Sequence, residues 1–341
     1  MRNSNPSSNQ PIVLAQGLTK VFKDFWMRDK VRAVDDLDLE IRRNEVFGLL
    51  GPNGSGKSTT IKMILGLFHK TSGRLAVFGK SPDDVSIKKR IGFLPEESYL
   101  YPFLNARETL DLYGKLFNLP NRIRRRRIDE LLEMVGLSHA QHRQMHEYSK
   151  GMQRRIGIAQ ALINDPEFLI LDEPTTGLDP LGTRQIKDLI IELGKRGKTV
   201  LLSSHLLADV EDCVDRLVIL YGGKKRAEGT CEELLVATDR TTIETPRLSP
   251  HTLERIKEIV REEEGVEVQS VSHPRQKLEQ VFLDIVEQAR SEKVATGGVE
   301  KTGATASFLL GREEDDTTSG ESLIASLMEE ENLPPMPVED A

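Results

Sequence analysis

The sequence predicts an α/β chain in which a buried, mostly parallel sheet carries a phosphate-cradling loop, and three observations predict it. First, the apolar run Val46-Phe47-Gly48-Leu49-Leu50 leads into Gly51-Pro52-Asn53-Gly54-Ser55-Gly56-Lys57-Ser58-Thr59, which fits G-x-x-x-x-G-K-[ST]. Ile61, Ile64, Leu65 and Phe68 then recur at helical spacing, so strand, glycine-rich turn and helix stand in the order the motif requires. Second, Phe168-Leu169-Ile170-Leu171 is another continuous apolar run. It delivers Asp172 and Glu173 at a strand's carboxyl end, where ligands bind in open α/β sheets. Third, Thr199-Val200-Leu201-Leu202 reads as a further buried strand, ending in Ser203-Ser204-His205.

The chemistry of these stretches points to a nucleoside triphosphate. Glycines without a Cβ let backbone N–H groups close on phosphate oxygens, and the helix N-terminus adds partial positive charge. Lys57 is placed to reach the terminal phosphates, and the Ser58 hydroxyl to ligate Mg²⁺. Asp172 is a second oxygen ligand for that ion. Glu173 is an acid that metal binding does not require, and its economical role is a general base for the water that attacks the γ-phosphate.

The bulk composition narrows the setting. A chain of 341 residues, 38% hydrophobic and 30% charged, is expected to be soluble and to form about two domains. No apolar run approaches the roughly 18–20 residues of a membrane span. The stretch Met1 to Pro11 is polar and reads as neither a signal peptide nor a transit helix. Two cysteines, Cys213 and Cys231, fit a reducing compartment rather than a disulfide framework or a metal site. Charge is uneven: residues 296–341 hold eleven acidic and two basic side chains. That segment is also rich in Gly, Ser, Thr and Pro, so it is expected to lack order. Within it, Leu323–Met328 could form a helical turn against a partner, a solvated tail being the blander reading.

Between Glu96 and Ser149 the pattern is helical. Asn105-Ala106-Arg107-Glu108 resembles a capping box opening a helix to about Phe117. A second helix is expected from about Arg122 to Val135, with Gly136 as its stop. Arg122, Arg124, Arg125, Arg126 and Arg127 form a basic cluster on it. A solvated helix face is the first reading of that cluster, anionic headgroups the second, and nucleic acid the least favoured. Past Arg240 a strand-like stretch (Thr241 to Thr245), a helix (His251 to Glu262), a strand (Val266 to Val271) and a last helix suggest a small α+β appendage. The last helix sets Leu278, Val281, Phe282, Ile285 and Ala289 on one face.

With these residues in view, roughly residues 12–238 resemble the ATP-binding subunit of an ABC transporter. Gly51–Thr59 and Phe168–Glu173 resemble the family's Walker A and Walker B stretches, and Tyr148-Ser149-Lys150-Gly151-Met152-Gln153 resembles its signature. Lys150 and Met152 depart from the commonest form of that signature. The resemblance implies that Ser149 and the Gly151 amide face the γ-phosphate held by a partner subunit. Ser149 also suits an N-cap. Thr176-Gly177-Leu178-Asp179 matches the D-loop, which makes Asp179 a cross-interface residue, and His205 matches the switch histidine. Phe22 occupies the slot of the adenine-stacking aromatic, a plain core phenylalanine being the other reading. Where the family usually has a glutamine that ligates Mg²⁺ and orients water, this chain has Glu96, which can only accept hydrogen bonds when ionised. Leu278-Glu279-Gln280-Val281-Phe282-Leu283 resembles the close of exporter-type ATPases.

The resemblance implies a P-loop NTPase fold of the ABC ATPase type. An antiparallel β subdomain and a helical subdomain (about 97–147) complete the cassette, with the α+β appendage over 239–292 and the acidic tail over 293–341. It implies ATP and Mg²⁺ as ligands, a second copy of the chain in an ATP sandwich, and an integral membrane permease as partner. The expected location is the cytoplasmic face of a membrane, and export is the expected direction. The alternative is an ABC-type ATPase acting on nucleic acid or ribosomes. The sequence speaks against it, having neither long heptad arms nor a second cassette. A P-loop kinase would not need the signature.

Overall fold

The structure is a computed structural model that describes residues 11–26, 28–97, 99–206, 208–235, 245–246, 248–268 and 305–310. Its centre is a sheet of six strands in the order β5-β6-β7-β3-β8-β9. These are β3 (Val46–Leu50), β5 (Ile91–Leu94), β6 (Phe168–Asp172), β7 (Thr199–Ser204), β8 (Arg216–Tyr221) and β9 (Lys224–Gly229). All neighbours pair in parallel except β8 with β9. Strands β3, β6 and β7 are buried at every residue, which is why they read as unbroken apolar runs. Their residues alternate between two cores. Val46, Leu50, Leu169, Leu171, Val200 and Leu202 face one side, and Phe47, Leu49, Phe168, Ile170 and Leu201 the other.

The second core lies between the central sheet and an antiparallel sheet of order β2-β1-β4, formed by β1 (Val13–Lys23), β2 (Asp29–Ile41) and β4 (Ser72–Val77). Helix α1 (Lys57–Ile64) sits in that core through Ile61, Met63 and Ile64. The short α2 (Val85–Lys88) joins it with Ile87.

The first core is closed by helices. Helix α3 (Ala106–Leu116) opens on the expected capping box, with Asn105 accepting from the Glu108 amide and Glu108 from the Asn105 amide. Helix α4 (Asn121–Met134) ends before Gly136, whose φ is +68°. Helices α5 (Lys150–Leu162) and α6 (Pro180–Lys195) supply Ile156, Leu162, Ile186 and Ile190. The short α7 (Ala208–Glu211) and α8 (Cys231–Leu235) flank β8 and β9. No helix among the described residues is long and apolar enough to cross a membrane.

The basic cluster on α4 is only partly a solvated face. Arg127 is buried and donates to the Ile163 carbonyl at 3.1 Å. Arg124 turns back to Asp111 at 2.5 Å and to the Leu119 carbonyl at 3.0 Å. Arg122 and Arg125 are exposed. Sequence reasoning treats such a run as one face. Successive helical residues advance by about 100°, so four in a row, Arg124 to Arg127, sweep most of the way round the helix and some must point inward.

The region after residue 239 differs from expectation where it is described. Helix α9 (Pro250–Glu264), capped by Ser249, covers the expected helix, but it has no buried residue. Val266, Glu267 and Val268 are not in a strand. The last helix, most of the first strand, Leu278–Leu283 and Leu323–Met328 lie outside the described residues. The expectation of a disordered tail over 293–341 needs correction at residues 305–310. There a 3-10 turn (Ser307–Leu310) buries Ala306, Phe308 and Leu309 in the first core. Averaged over the acidic segment, the composition hides one short apolar cluster that packs into the core.

Candidate functional site

Strand register builds the site. Parallel pairing sets Asp172 of β6 opposite Ser203 of β7, and Leu50 of β3 opposite Ser204. Three neighbouring strands therefore end together. Their next residues are Glu173, His205 and Gly51, the start of the glycine-rich loop. The loop conformation demands glycine at two points. Gly51 has φ +152°, and a Cβ there would lie 2.3 Å from the Leu220 carbonyl oxygen. Gly56 has φ +106°, and a Cβ would lie 2.5 Å from the Ala33 carbonyl oxygen. Gly56 is also the N-cap of α1, so no side chain caps the amides of Lys57, Ser58 and Thr59. Pro52, Asn53 and Gly54 are the exposed or turn-forming part of the loop, with Ser55 donating its amide to Pro52 at 3.1 Å.

Four expected residues converge. Lys57 is 5% exposed, and its ammonium donates to the Gly51 carbonyl at 2.6 Å. It also lies 3.3 Å from Glu173 Oε1. That ion pair lacks an aligned hydrogen bond, so Oε1 has no hydrogen-bond partner among the described residues. Glu173 Oε2 meets His205 Nδ1 at 2.7 Å. Asp172 Oδ1 accepts from Ser203 Oγ at 2.5 Å and, more distantly, from Ser58 Oγ at 3.4 Å. Glu173 is 4% exposed and has φ +53°, an uncommon backbone state for a residue with a side chain. Its amide is tied to Ser203 through both Oγ (3.0 Å) and the carbonyl (3.2 Å), which holds that turn.

The remaining candidates are placed elsewhere. Glu96 is exposed, and no described hydrogen bond or ion pair joins its carboxylate to the Lys57–Asp172–Glu173–His205 cluster. Its carbonyl accepts from Arg154 at 3.0 Å, and its charge acts on the same guanidinium. Ser149 is the N-cap of α5 and accepts from the Met152 amide at 3.3 Å. Lys150 and Gly151 open the same helix, while the Gln153 amide group donates to the carbonyls of Tyr148 and Met145. No described hydrogen bond or ion pair links Ser149–Gln153 to the Lys57 cluster. Asp179 caps α6, accepting from the Gly182 amide at 2.8 Å. Phe22 is half-buried, its ring edge-on to Phe68 at 5.5 Å with Lys20 over it.

Two residues were missed by sequence reasoning. Ser203 is fully buried and joins Asp172 to the Glu173 amide, yet a serine at a strand end carries no sequence signal. Arg154 is also buried, and it is spent on carbonyls. It donates to Pro95 (2.5 Å), Glu96 (3.0 Å), Pro174 (3.2 Å), Glu173 (2.6 Å) and Asp172. Burial pulls its guanidinium down to about 10, against the opposing pull of Asp172, Glu96 and Glu173. Arg154 thereby ties the loop before the helical subdomain to the strand end that carries both acids.

Residues 34–176 match the ABC transporter family. A daunorubicin resistance ATP-binding protein (DrrA3) of Streptomyces coeruleorubidus is 35% identical over 297 residues, covering 77% of this chain and 94% of that protein. The chain belongs to the ABC transporter ATP-binding proteins. A relative of that family from Nostoc sp. is 45% identical over 233 residues, 67% of this chain and 70% of its own length. Among solved structures, the dimeric ATP-binding cassette MJ0796 bound to ADP and Pi matches with a TM-score of 0.59 at 29% identity. That match covers 64% of this ABC ATPase and 98% of the cassette. The fold is accordingly the ABC cassette, a P-loop NTPase with its antiparallel sheet and helical subdomain.

Proposed function

We propose that this ABC ATPase hydrolyses Mg-ATP as a pair of copies and drives a separate membrane permease that moves solute outward. The observation that carries the reading is the convergence of Lys57, Asp172, Glu173 and His205 at three adjacent strand ends. The first-turn amides of α1 and Ser55 Oγ, which has no hydrogen-bond partner among the described residues, suit phosphate oxygens. Ser58 and Asp172 would hold Mg²⁺. A hydroxyl and a carboxylate are the hard oxygen donors that ion prefers, and water and phosphate commonly complete its shell. When bound, the ion offsets negative charge on the terminal phosphates.

The side chains divide the remaining work. Lys57 exchanges its carbonyl and carboxylate contacts for phosphate oxygens. Glu173 accepts the proton of the attacking water at Oε1, the oxygen without a hydrogen-bond partner. His205 holds Oε2 and so orients the carboxylate. Phe22 offers a half-buried ring to the adenine. Glu96 ligates only if its loop swings inward, carrying the exposed carboxylate to the cluster.

A pair of copies is invoked because Ser149 and Gly151 form no bond to their own Lys57 cluster, while the signature's amides suit a phosphate held by another chain. The dimeric state of the MJ0796 cassette supports the same reading. Outward transport rests on the daunorubicin resistance relative and on Leu278–Leu283. The test is purification of the tagged chain from solubilised membranes, with ATPase assay of what comes with it. An integral membrane protein whose presence stimulates turnover is expected. Recovery of the chain alone, with nucleic acid stimulating turnover instead, would reverse the reading.

A further inference from the structure

The segment Ala306-Ser307-Phe308-Leu309 lies within the acidic C-terminal region yet is part of the first core. Phe308 is 1% exposed, and Ala306 and Leu309 are 2% exposed. Glu130 of α4 receives the segment with both oxygens: Oε1 accepts from Ser307 Oγ at 2.7 Å and Oε2 from the Phe308 amide at 3.3 Å. The Arg127 guanidinium lies 4.3 Å from the centre of the Phe308 ring. The same guanidinium holds the Ile163 carbonyl at the end of α5. On the other side, Phe308 and Leu309 border a cleft of ≈ 240 Å³ with Ile12, Asn44, Arg196 and Thr199.

Those bordering residues precede or begin strands β1, β3 and β7. They mark the amino ends of the strands, opposite the end that carries Gly51–Thr59, Glu173 and His205. One short segment therefore bonds to the helical subdomain through α4, joins the first core, and borders a cleft that the strand starts also line. The aromatic ring is matched to a cation, the hydroxyl and amide to one carboxylate, and the leucine to the base of the sheet.

We propose that this pocket is a peptide-binding site filled by the chain's own Ser-Phe-Leu, and that the docked segment is a strap setting the angle of the helical subdomain to the sheet. Its ligand class is a short peptide presenting a hydroxyl, an aromatic ring and a leucine in that order. Docking acts on α5 through Arg127, because α5 begins with the Ser149 cap and ends at the carbonyl Arg127 holds. The proposal goes beyond the nucleotide-site reading and does not need it.

The test uses the full chain, Phe308→Ala, and a dye-labelled peptide of residues 303–312. The peptide should bind the variant at least about tenfold more tightly than the unmodified chain, whose pocket is already filled. Amide hydrogen exchange should rise about tenfold across Asn121–Met134 in the variant and stay unchanged across Lys57–Ile64. Equal peptide binding to both chains, or unaltered exchange in α4, overturns the proposal. Should the variant fail to fold, the unmodified chain decides. Its Phe308 and Leu309 amides, bonded to Glu130 and to the Ala306 carbonyl, should exchange about tenfold more slowly than in the free peptide. Equal rates reject the strap. Neither readout involves ATP turnover, so a failure here leaves the proposed function standing, and the converse holds as well.

Discussion

Replacing Glu173 by glutamine perturbs one buried charge and leaves nearly the same shape. In the structure the carboxylate faces Lys57 at 3.3 Å and His205 at 2.7 Å, with both Lys57 and Glu173 at about 5% side-chain exposure. Opposite unit charges at that separation attract by about 5 kcal/mol at an effective dielectric of 20, before desolvation is subtracted. Neutralising one member strands a buried ammonium, a change that typically costs about 3–5 kcal/mol. For a cassette of this size that corresponds to a fall in Tm of about 6–20 °C. The amide still reaches His205, so the turn at φ +53° is expected to persist. Adding ATP should recover much of the lost Tm, because phosphate oxygens replace the missing anion beside Lys57. The thermal shift on ATP addition should thus be larger in the variant than in the wild type. Turnover should drop by about 10²–10⁴, the usual contribution of a general base, equivalent to about 3–5 kcal/mol of barrier. Phosphate release, scanning fluorimetry with and without Mg-ATP, and sedimentation velocity read all three effects. Dimers should accumulate in the variant when ATP is present. A Glu173→Gln protein with near wild-type turnover, an unchanged Tm and no ATP-dependent dimer would refute the reasoning.

Other substitutions test neighbouring parts of the argument. Lys57→Ala removes the ammonium of the converging cluster and should abolish turnover and weaken ATP binding, read by titration with a fluorescent nucleotide. Glu96→Gln should keep substantial ATPase activity and reach half-saturation at lower Mg²⁺, since the charge that an inward swing of its loop would carry to the phosphates is removed; complete loss would show that the acid itself reacts. Arg154→Ala leaves several buried carbonyls without their donor, at about 1–3 kcal/mol each, and should lower the urea midpoint sharply, whereas Arg154→Lys should recover only part because its ammonium cannot fork. Ending the chain after residue 312 should leave the Tm unchanged and ending it after 304 should lower it, because only the second removes Phe308 and Leu309 from the core.

How much of this was legible depended on whether the signal was local. Gly51–Thr59 is readable because a phosphate-cradling loop needs residues without a Cβ at set spacing; in the fold, Gly51 and Gly56 are also required by the nearby Leu220 and Ala33 carbonyls, which a Cβ would strike. Strands β3, β6 and β7 are readable because burial on both faces leaves no polar alternation. The capping box at Asn105 and the stop at Gly136 are likewise short-range.

What only the tertiary structure decided was which distant residues meet. The pairing of Asp172 with Ser203 is a register between strands far apart in sequence, and it makes Ser203 part of the site. Arg154 gathers carbonyls from Pro95 to Pro174, so its role exists only once α5 is packed against those loops. Glu96 and Ser149 resemble site residues by position, yet the fold leaves one in solvent and the other capping a helix, with no described bond to Lys57. Phe308 shows the limit most clearly. Composition reports the average tendency of a segment to stay unfolded, whereas docking depends on one ring finding a pocket built by α4 and the strand starts. Sequence by itself determined the chemistry that short-range geometry dictates; the contacts that depend on long-range packing were settled by the fold, because hydrophobic burial is summed over partners that no local pattern names.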